Sequence, residues 1–364
     1  MPPDFERDVH CLLGLPIDAI GLAGAEQRIR DAAAARLPCF MSTPNVNFVI
    51  ESRSDDAFRN AVLHSDLSVA DGMPLVWLAR LIGIPVRERV AGANLFDALR
   101  ARRGERPLRV YFFGGPDGVA EAAGRRLALE GKGLACVGYE SPGFGSVEEM
   151  SGEHTIARIN AANADLLVVS LGARKGQAWI ERNRVRLNVP VISHLGAVLN
   201  FAAGSIARAP RWMQKAGLEW LWRIKEQPEL WRRYLGDGLA LAKLLVLRVI
   251  PYAWSVRMHN RRPAAEARME AREEPHAYII VLHGAWTRAN STVLRWGFSQ
   301  AAQARKDVRL DMRAVSHVDS AIVGLVQLLQ GYQQQHGKRL AIVSMPRPVQ
   351  KLMEYCCAEY LCHA

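Results

Sequence analysis

The chain has 364 residues, 49% of them hydrophobic and 7% aromatic, with a net charge of +11. That length is enough for two or three domains, and the composition is that of an ordinary globular protein. The six cysteines form no CxxC pair and have no histidine at metal-ligand spacing, which argues against a zinc site and for reduced thiols filling a core. The opening "MPPDFERDVH" is polar and acidic, so no signal peptide is expected.

From about residue 8 to 205, short apolar runs alternate with helical patterns. "FMSTPNVNFVI" opens on a strand. "RVYFFGGPDGVAEAAGRRLAL" reads as strand, glycine-rich turn and alanine-rich helix, and "ADLLVVSLGARKGQAWIERN" repeats that plan. "VPVISHLGAVLNFAAG" is a further apolar run. Such alternation predicts an α/β, Rossmann-like domain over 1–205 with a mostly parallel sheet. Ligands then belong beyond the C-terminal ends of the strands, in the turns after "FMS", "YFF", "VVS" and "ISH".

Residues 206–262 differ. They read as helical, basic and tryptophan-rich, and the window 208–262 holds twelve Lys/Arg against four Asp/Glu. A local excess of cations points to an anionic partner or to a merely solvated helix face. Within it, "LALAKLLVLRVIPYAW" is strongly apolar but interrupted by Lys243, Arg248 and Pro251, and a span needs about 20 apolar residues, so it predicts no membrane crossing. Residues 263–276, "PAAEARMEAREEPH", read as a linker. A second α/β pattern fills 277–364: strands "AYIIVLHG", "DVRLDMRAV" and "RLAIVSM" alternate with helices "STVLRWGFSQAAQA", "SAIVGLVQLLQGYQQQHG" and "PVQKLMEYCC". A unit of that size is expected to fold by itself.

Asp71, before Gly72, follows an apolar run, where a carboxylate can point into a cleft as a general base or cap a turn. Arg89 could balance a phosphate or form a surface ion pair. Thr43, Asn45 and Asn47 follow a strand, where hydroxyl and amide groups suit a sugar or nucleotide, or simply a turn. Gly114 and Gly115 precede a helix whose N–H groups could hold a phosphate, although the full GxGxxG spacing is missing. Walker A, HExxH, GxSxG and DxD patterns are absent. The missing DxD favours chemistry without a metal or cofactor, with cations supplied by Arg and Lys.

In this order, "TPNVNFV", "ADGMPLVWLARLIGIPVRERVAGANLF", "FFGGPDGVAEAA" and "GLEWLWRIKEQPELWRRYL" resemble the conserved blocks of the WecG/TagA/CpsF family of bacterial glycosyltransferases. The resemblance implies inverting transfer from a UDP-sugar to a polyprenyl-diphosphate-linked saccharide in exopolysaccharide or cell-envelope assembly. It makes Asp71 the base, sets Thr43, Asn45 and Asn47 in the active site beside Gly72, Gly114 and Gly115, and directs Arg89, Lys175, Arg223, Arg232 and Arg233 to the phosphates. The family's Pro-Lys-Gln-Glu reads Arg174, Lys175, Gly176, Gln177 here, its Phe-Asp-Phe carries Asn200, and its Asp-Leu carries Asn94. Those departures leave open a catalytically impaired scaffold in place of an enzyme. A nucleic-acid partner finds no recognition motif.

A lipid-linked acceptor gives the Trp-rich run a purpose. Trp and Tyr suit the headgroup level, and each Lys/Arg near an anionic surface is worth about 1 kcal/mol. At 100° per residue Trp220, Leu221, Ile224, Trp231 and Leu235 share a face, and Pro228 starts a second short helix. Such a segment lies on a bilayer and would hold the protein peripherally at the inner face of the plasma membrane; an aromatic stripe on the domain's own core is the other reading. "VRLDMRAVSHVDSAIVGLVQLL" resembles a STAS domain, implying a regulatory protein partner. Ser320 matches the serine that some members have phosphorylated, or it simply caps a helix.

Overall fold

A computed structural model describes residues 4–102, 106–259 and 266–362. The chain opens with a hairpin of β1 (Val9–Leu12) and β2 (Leu15–Asp18), turning at Leu13 and Gly14, both with positive φ. Both central residues of such a tight turn need that left-handed conformation, which glycine adopts freely. The N-terminal α/β domain is then built on six parallel strands: β3 (Cys39–Ser42), β4 (Leu67–Ser68), β5 (Leu108–Gly114), β6 (Leu134–Glu140), β7 (Leu166–Ser170) and β8 (Val191–His194). Their order is β4-β3-β8-β7-β5-β6. The central runs are apolar at nearly every position because helices cover both faces.

The long helical segment starts at Pro228, as expected, but it is not short. A first turn at Pro228–Leu230 leads into Trp231–Leu244, a π-turn at Leu245–Val249 and Ile250–His259 without a break. Lys243, Arg248 and Pro251 interrupt the apolar run but not the helix that carries it. Ile250 already donates to the Leu245 carbonyl five residues back, so the ladder is displaced where Pro251 lacks its N–H. Arg248 turns sideways, donating to the Glu354 carbonyl at 2.9 Å and pairing with Glu359 at 2.8 Å. Over Pro228–Met258 the helix is long and apolar enough to cross a membrane, by length and composition. Yet Leu244, Val249, Tyr252 and Ala253 are buried in the protein's core along one side.

The expected linker 263–276 is also different. Residues 260–265 lie outside the described residues, but Arg268–Glu273 forms β9. It pairs antiparallel with β10 (Ala277–Trp286), and β11 (Asp307–Val318) and β12 (Leu340–Ser344) complete the order β12-β11-β10-β9. Charges hid this strand from the sequence reading. As an edge strand it keeps Arg and Glu in solvent, which blunts the exposed edge.

The C-terminal unit does not stand apart. Its helix Ser320–Gln335 is buried at every position from Ser320 to Gln333. One side covers β11 and β12; the other receives the β1–β2 hairpin and the helix Asp56–Leu63. Phe5, Val9, Leu12, Leu15 and Ile17 therefore share one core with Ile322, Val326 and Leu329. A Cβ added at Gly14 would stand 2.8 Å from the Cys357 carbonyl oxygen, and one at Gly324 only 3.0 Å from the Val9 oxygen. Gly324→Val should therefore wedge the hairpin outward and cost about 1–3 kcal/mol, as overpacking does. A urea midpoint equal to wild type would contradict this packing.

Ser320 sits within this junction. The expected cap is instead Asp319, whose carboxylate accepts from the Ala321 and Ile322 N–H groups. Ser320 is only 6% exposed, with Oγ 3.0 Å from His10 Nδ1. His10 Nε2 lies 3.3 Å from Asp8, which also pairs with Arg288. A phosphate on Ser320 therefore requires the hairpin to move aside. Ser320→Asp should lower stability by about 1–3 kcal/mol through burial of an added charge beside Asp8 and Asp319. An unchanged thermal midpoint would show that the junction opens freely.

Candidate active site

The C-terminal ends of β3 and β4 converge through the backbone. The Asp71 N–H donates to the Pro44 carbonyl at 2.7 Å, and Val90 donates to Ala70 at 2.9 Å. This brings the Thr43–Asn45 turn, Asp71–Gly72 and the Arg89 loop together. Thr43 is buried, with its methyl against Gly92. Asn45 Oδ1 accepts from the Phe48 N–H at 3.2 Å and caps the helix Val46–Glu51, so part of its capacity is spent on the turn.

Asp71 is partly enclosed, and Oδ2 accepts the Gly92 N–H at 3.3 Å. Burial pushes its carboxyl up to about 6, against the pull of Arg89, the Gly92 N–H and Arg223; Glu219 adds to the rise. A carboxylate titrating there is ionised at neutral pH yet basic enough to take a proton. Arg89 pairs with Glu219 at 2.6 Å, and Arg223 lies over the Phe201 ring at 5.9 Å. Glu219 and Arg223 both come from the helix Glu219–Glu226, so the basic segment closes over the strand ends. Arg208, beside it, pairs with Asp97 and donates to Asn94 Oδ1, a role for which the amide oxygen suffices.

The other expected site residues are spread more widely. Asn47 lies beside Asp237 of the long helix, where the helix Val46–Glu51 packs against it. Gly114 ends β5 and Gly115 follows it; the Gly115 N–H donates to the Ser170 carbonyl at 3.0 Å, which removes one expected phosphate donor. Lys175 donates to the Gly145 carbonyl at 2.9 Å. Arg232 and Arg233 lie over Trp231 and Tyr234, exposed on the outside of the long helix and apart from the Asp71 cluster.

Three residues here were not among the sequence candidates. Glu219 and Arg208 lie in quoted or adjacent text, but only the fold shows their partners. His194 ends β8 at the middle of the sheet, where Nε2 donates to the Leu171 carbonyl at 2.6 Å and burial holds its pKa down. Its ring occupies the space beside Gly176, where an added Cβ would stand 2.2 Å from Cδ2. The side chain missing at 176 is thus replaced from the neighbouring strand.

A doubly covered parallel sheet with a partly enclosed carboxylate and two arginines at its strand mouth is the arrangement expected of an α/β transferase. In agreement, the sequence profile of the glycosyl transferase WecG/TagA/CpsF family matches residues 10–253, and the chain belongs to that family. It carries a C-terminal STAS domain: a profile described as Mlab, STAS domain matches residues 269–358. An N-acetylglucosaminyldiphosphoundecaprenol N-acetyl-beta-D-mannosaminyltransferase of Bacillus spizizenii is 27% identical over 196 residues, covering 54% of this chain and 74% of that one. The protein of the same name from Bacillus subtilis is 24% identical over 200 residues, covering 55% and 76%. A sulfate-associated Gly74Cys mutant of arylmalonate decarboxylase aligns with a TM-score of 0.20 and 20% identity, over 52% of this chain and 79% of that one, too slight a likeness to carry an argument.

The charges around Asp71 give a signed expectation. A general base works when ionised, so with Asp71 in that role kcat/KM should fall as pH drops through about 6. Glu219→Gln removes a charge that raises the Asp71 pKa and should move this acid limb to lower pH; Arg89→Gln should move it to higher pH. Limbs that coincide in all three proteins would separate the titrating group from Asp71.

Proposed function

We propose that this protein is an inverting glycosyltransferase of cell-envelope or exopolysaccharide synthesis. It moves a sugar from a UDP-sugar, of N-acetylmannosamine or glucose type, to a polyprenyl-diphosphate-linked saccharide. The observation that carries the reading is Asp71, desolvated and basic at the strand mouth with Arg89 and Arg223 around it. Asp71 takes the proton of the acceptor hydroxyl as its oxygen attacks C1 of the donor sugar. The bond from C1 to the UDP oxygen breaks on the opposite face, and the configuration inverts. Arg89 and Arg223 offset the charge that develops on the departing diphosphate, a role that a metal fills elsewhere. The acceptor class follows the names of the two Bacillus relatives.

The protein works at the inner face of the plasma membrane. Trp220, Trp231, Leu235, Leu239 and Trp254 leave apolar surface in solvent on the same segment that carries the excess of cations. The long helix lies along the surface instead of crossing it, because its other side is committed to the core. The STAS domain is the regulatory part and receives a protein partner, and the shared core passes that contact to the transferase.

The test is acceptor-dependent UDP release from a panel of UDP-sugars in excess EDTA, with a short-chain prenyl-diphosphate-linked N-acetylglucosamine. Release with one donor and the acceptor together supports the reading. Release that EDTA abolishes removes the metal-independent part, and no release from the folded protein removes the reaction.

A further inference from the structure

We propose that the helix following the base, Met73–Leu81, belongs to the membrane-contacting surface, with Trp77 and Leu81 seated among the headgroups of an anionic bilayer. This rests on the interfacial reading above and extends it from the basic segment into the catalytic domain. Trp77 is 50% and Leu81 40% exposed, and their four-residue spacing puts them on one side. Leu75, Val76, Leu78 and Ala79 on the remaining sides are buried.

Single exposed apolar residues are ordinary on any surface. Here the neighbours decide. A Cβ at Gly217 would stand 3.1 Å from Trp77 Cη2, so the indole lies beside the start of the helix that exposes Trp220 and Leu221. The same Met73–Leu81 helix packs against the Leu245–Val249 turn, which exposes Val246 and Leu247. Three adjacent helices thus leave apolar side chains in solvent. Charge selects the occupant: Arg80 and Arg87 are exposed next to Trp77 and Leu81, and Arg80 donates to the Arg87 carbonyl. Aromatic and aliphatic side chains interleaved with cations fit a lipid surface with negative headgroups better than a neutral protein groove.

The placement has a consequence for the reaction. Trp77 is four residues beyond Met73, a rise of about 6 Å along the helix. Asp71, two residues before Met73, thereby lies within about two turns of Trp77 along the membrane-facing helix. An acceptor sugar attached through a diphosphate to a membrane-embedded chain is presented beside that surface.

The experiment uses the full chain with vesicles of phosphatidylethanolamine and phosphatidylglycerol at low salt. Trp77→Ser/Leu81→Ser should bind these vesicles about tenfold more weakly, and Leu81→Ser alone about threefold, from the interfacial area removed. Turnover on an acceptor carried in the vesicles should fall in parallel, while turnover on a water-soluble short-chain acceptor stays at the wild-type rate. Trp296→Ser, an exposed tryptophan of the STAS domain, should leave vesicle binding unchanged. Wild-type vesicle binding by the double variant, an equal loss in Trp296→Ser, or equal loss of turnover on both acceptors would overturn the inference while leaving the interfacial reading in place. If the wild-type protein ignores the vesicles, the interfacial reading fails and takes this inference with it.

Discussion

Asp71→Asn should reduce kcat by about 10²–10⁴, the usual worth of a positioned base, with little change in donor KM. The amide keeps the shape of the carboxylate and can still accept the Gly92 N–H, so the Thr43–Asn45 turn and the Arg89 loop should hold their places. Stability should not fall. A carboxyl whose folded pKa is raised opposes folding once ionised, and this penalty grows as pH rises from the ordinary carboxylate value through about 6. The neutral asparagine removes the penalty, so at pH 8 the thermal midpoint should equal or exceed that of wild type. The acid limb of the pH profile should vanish with the base. A folded mutant that turns over at the wild-type rate would remove Asp71 from the chemistry.

Truncation after residue 265 should leave a chain that does not reach the native state. The sequence, with its apparent linker, suggests the opposite: a tail that detaches cleanly and folds alone. In the structure that cut strips the cover from Phe5, Val9, Leu12, Leu15 and Ile17 and from Leu244, Val249 and Tyr252 of the long helix. Burying one such side chain is worth about 1.5–3 kcal/mol, and several together exceed the usual 5–15 kcal/mol of net stability. The isolated 277–364 fragment should fare no better, because its Ser320–Gln335 helix loses the hairpin and β10 loses its β9 neighbour. Expected results are aggregation or a broad, non-cooperative unfolding curve for both fragments, and a single cooperative transition for the full chain. A soluble 1–265 fragment with wild-type turnover would show that the shared core is dispensable.

The α/β class and the second unit were legible because apolar strands alternate with amphipathic helices and have the same local period wherever they pack. Asp71, Thr43 and Arg89 were legible because they stand directly after strands or beside the "ADG" block. What escaped was set by contacts distant in sequence. The charges of β9 concealed an edge strand. Pro251 interrupts the apolar run, and only the structure shows a π-turn carrying the helix past it. Asn47 stands directly after a strand, and only the packing of the long helix places it beside Asp237. His194 carried no signal at all, since its importance comes from the gap at Gly176 on another element. Nor could periodicity reveal that the second side of the Ser320–Gln335 helix faces the first twenty residues of the chain.

The most direct measurement is mass spectrometry of a prenyl-diphosphate-linked N-acetylglucosamine after incubation with the purified protein and UDP-N-acetylmannosamine or UDP-glucose. The expected result is an acceptor heavier by a single sugar residue, formed with one of these donors by the wild-type protein and lost with Asp71→Asn. An acceptor of unchanged mass with every UDP-sugar offered, from a protein shown to be folded and bound to vesicles, would contradict the assignment of this site to glycosyl transfer.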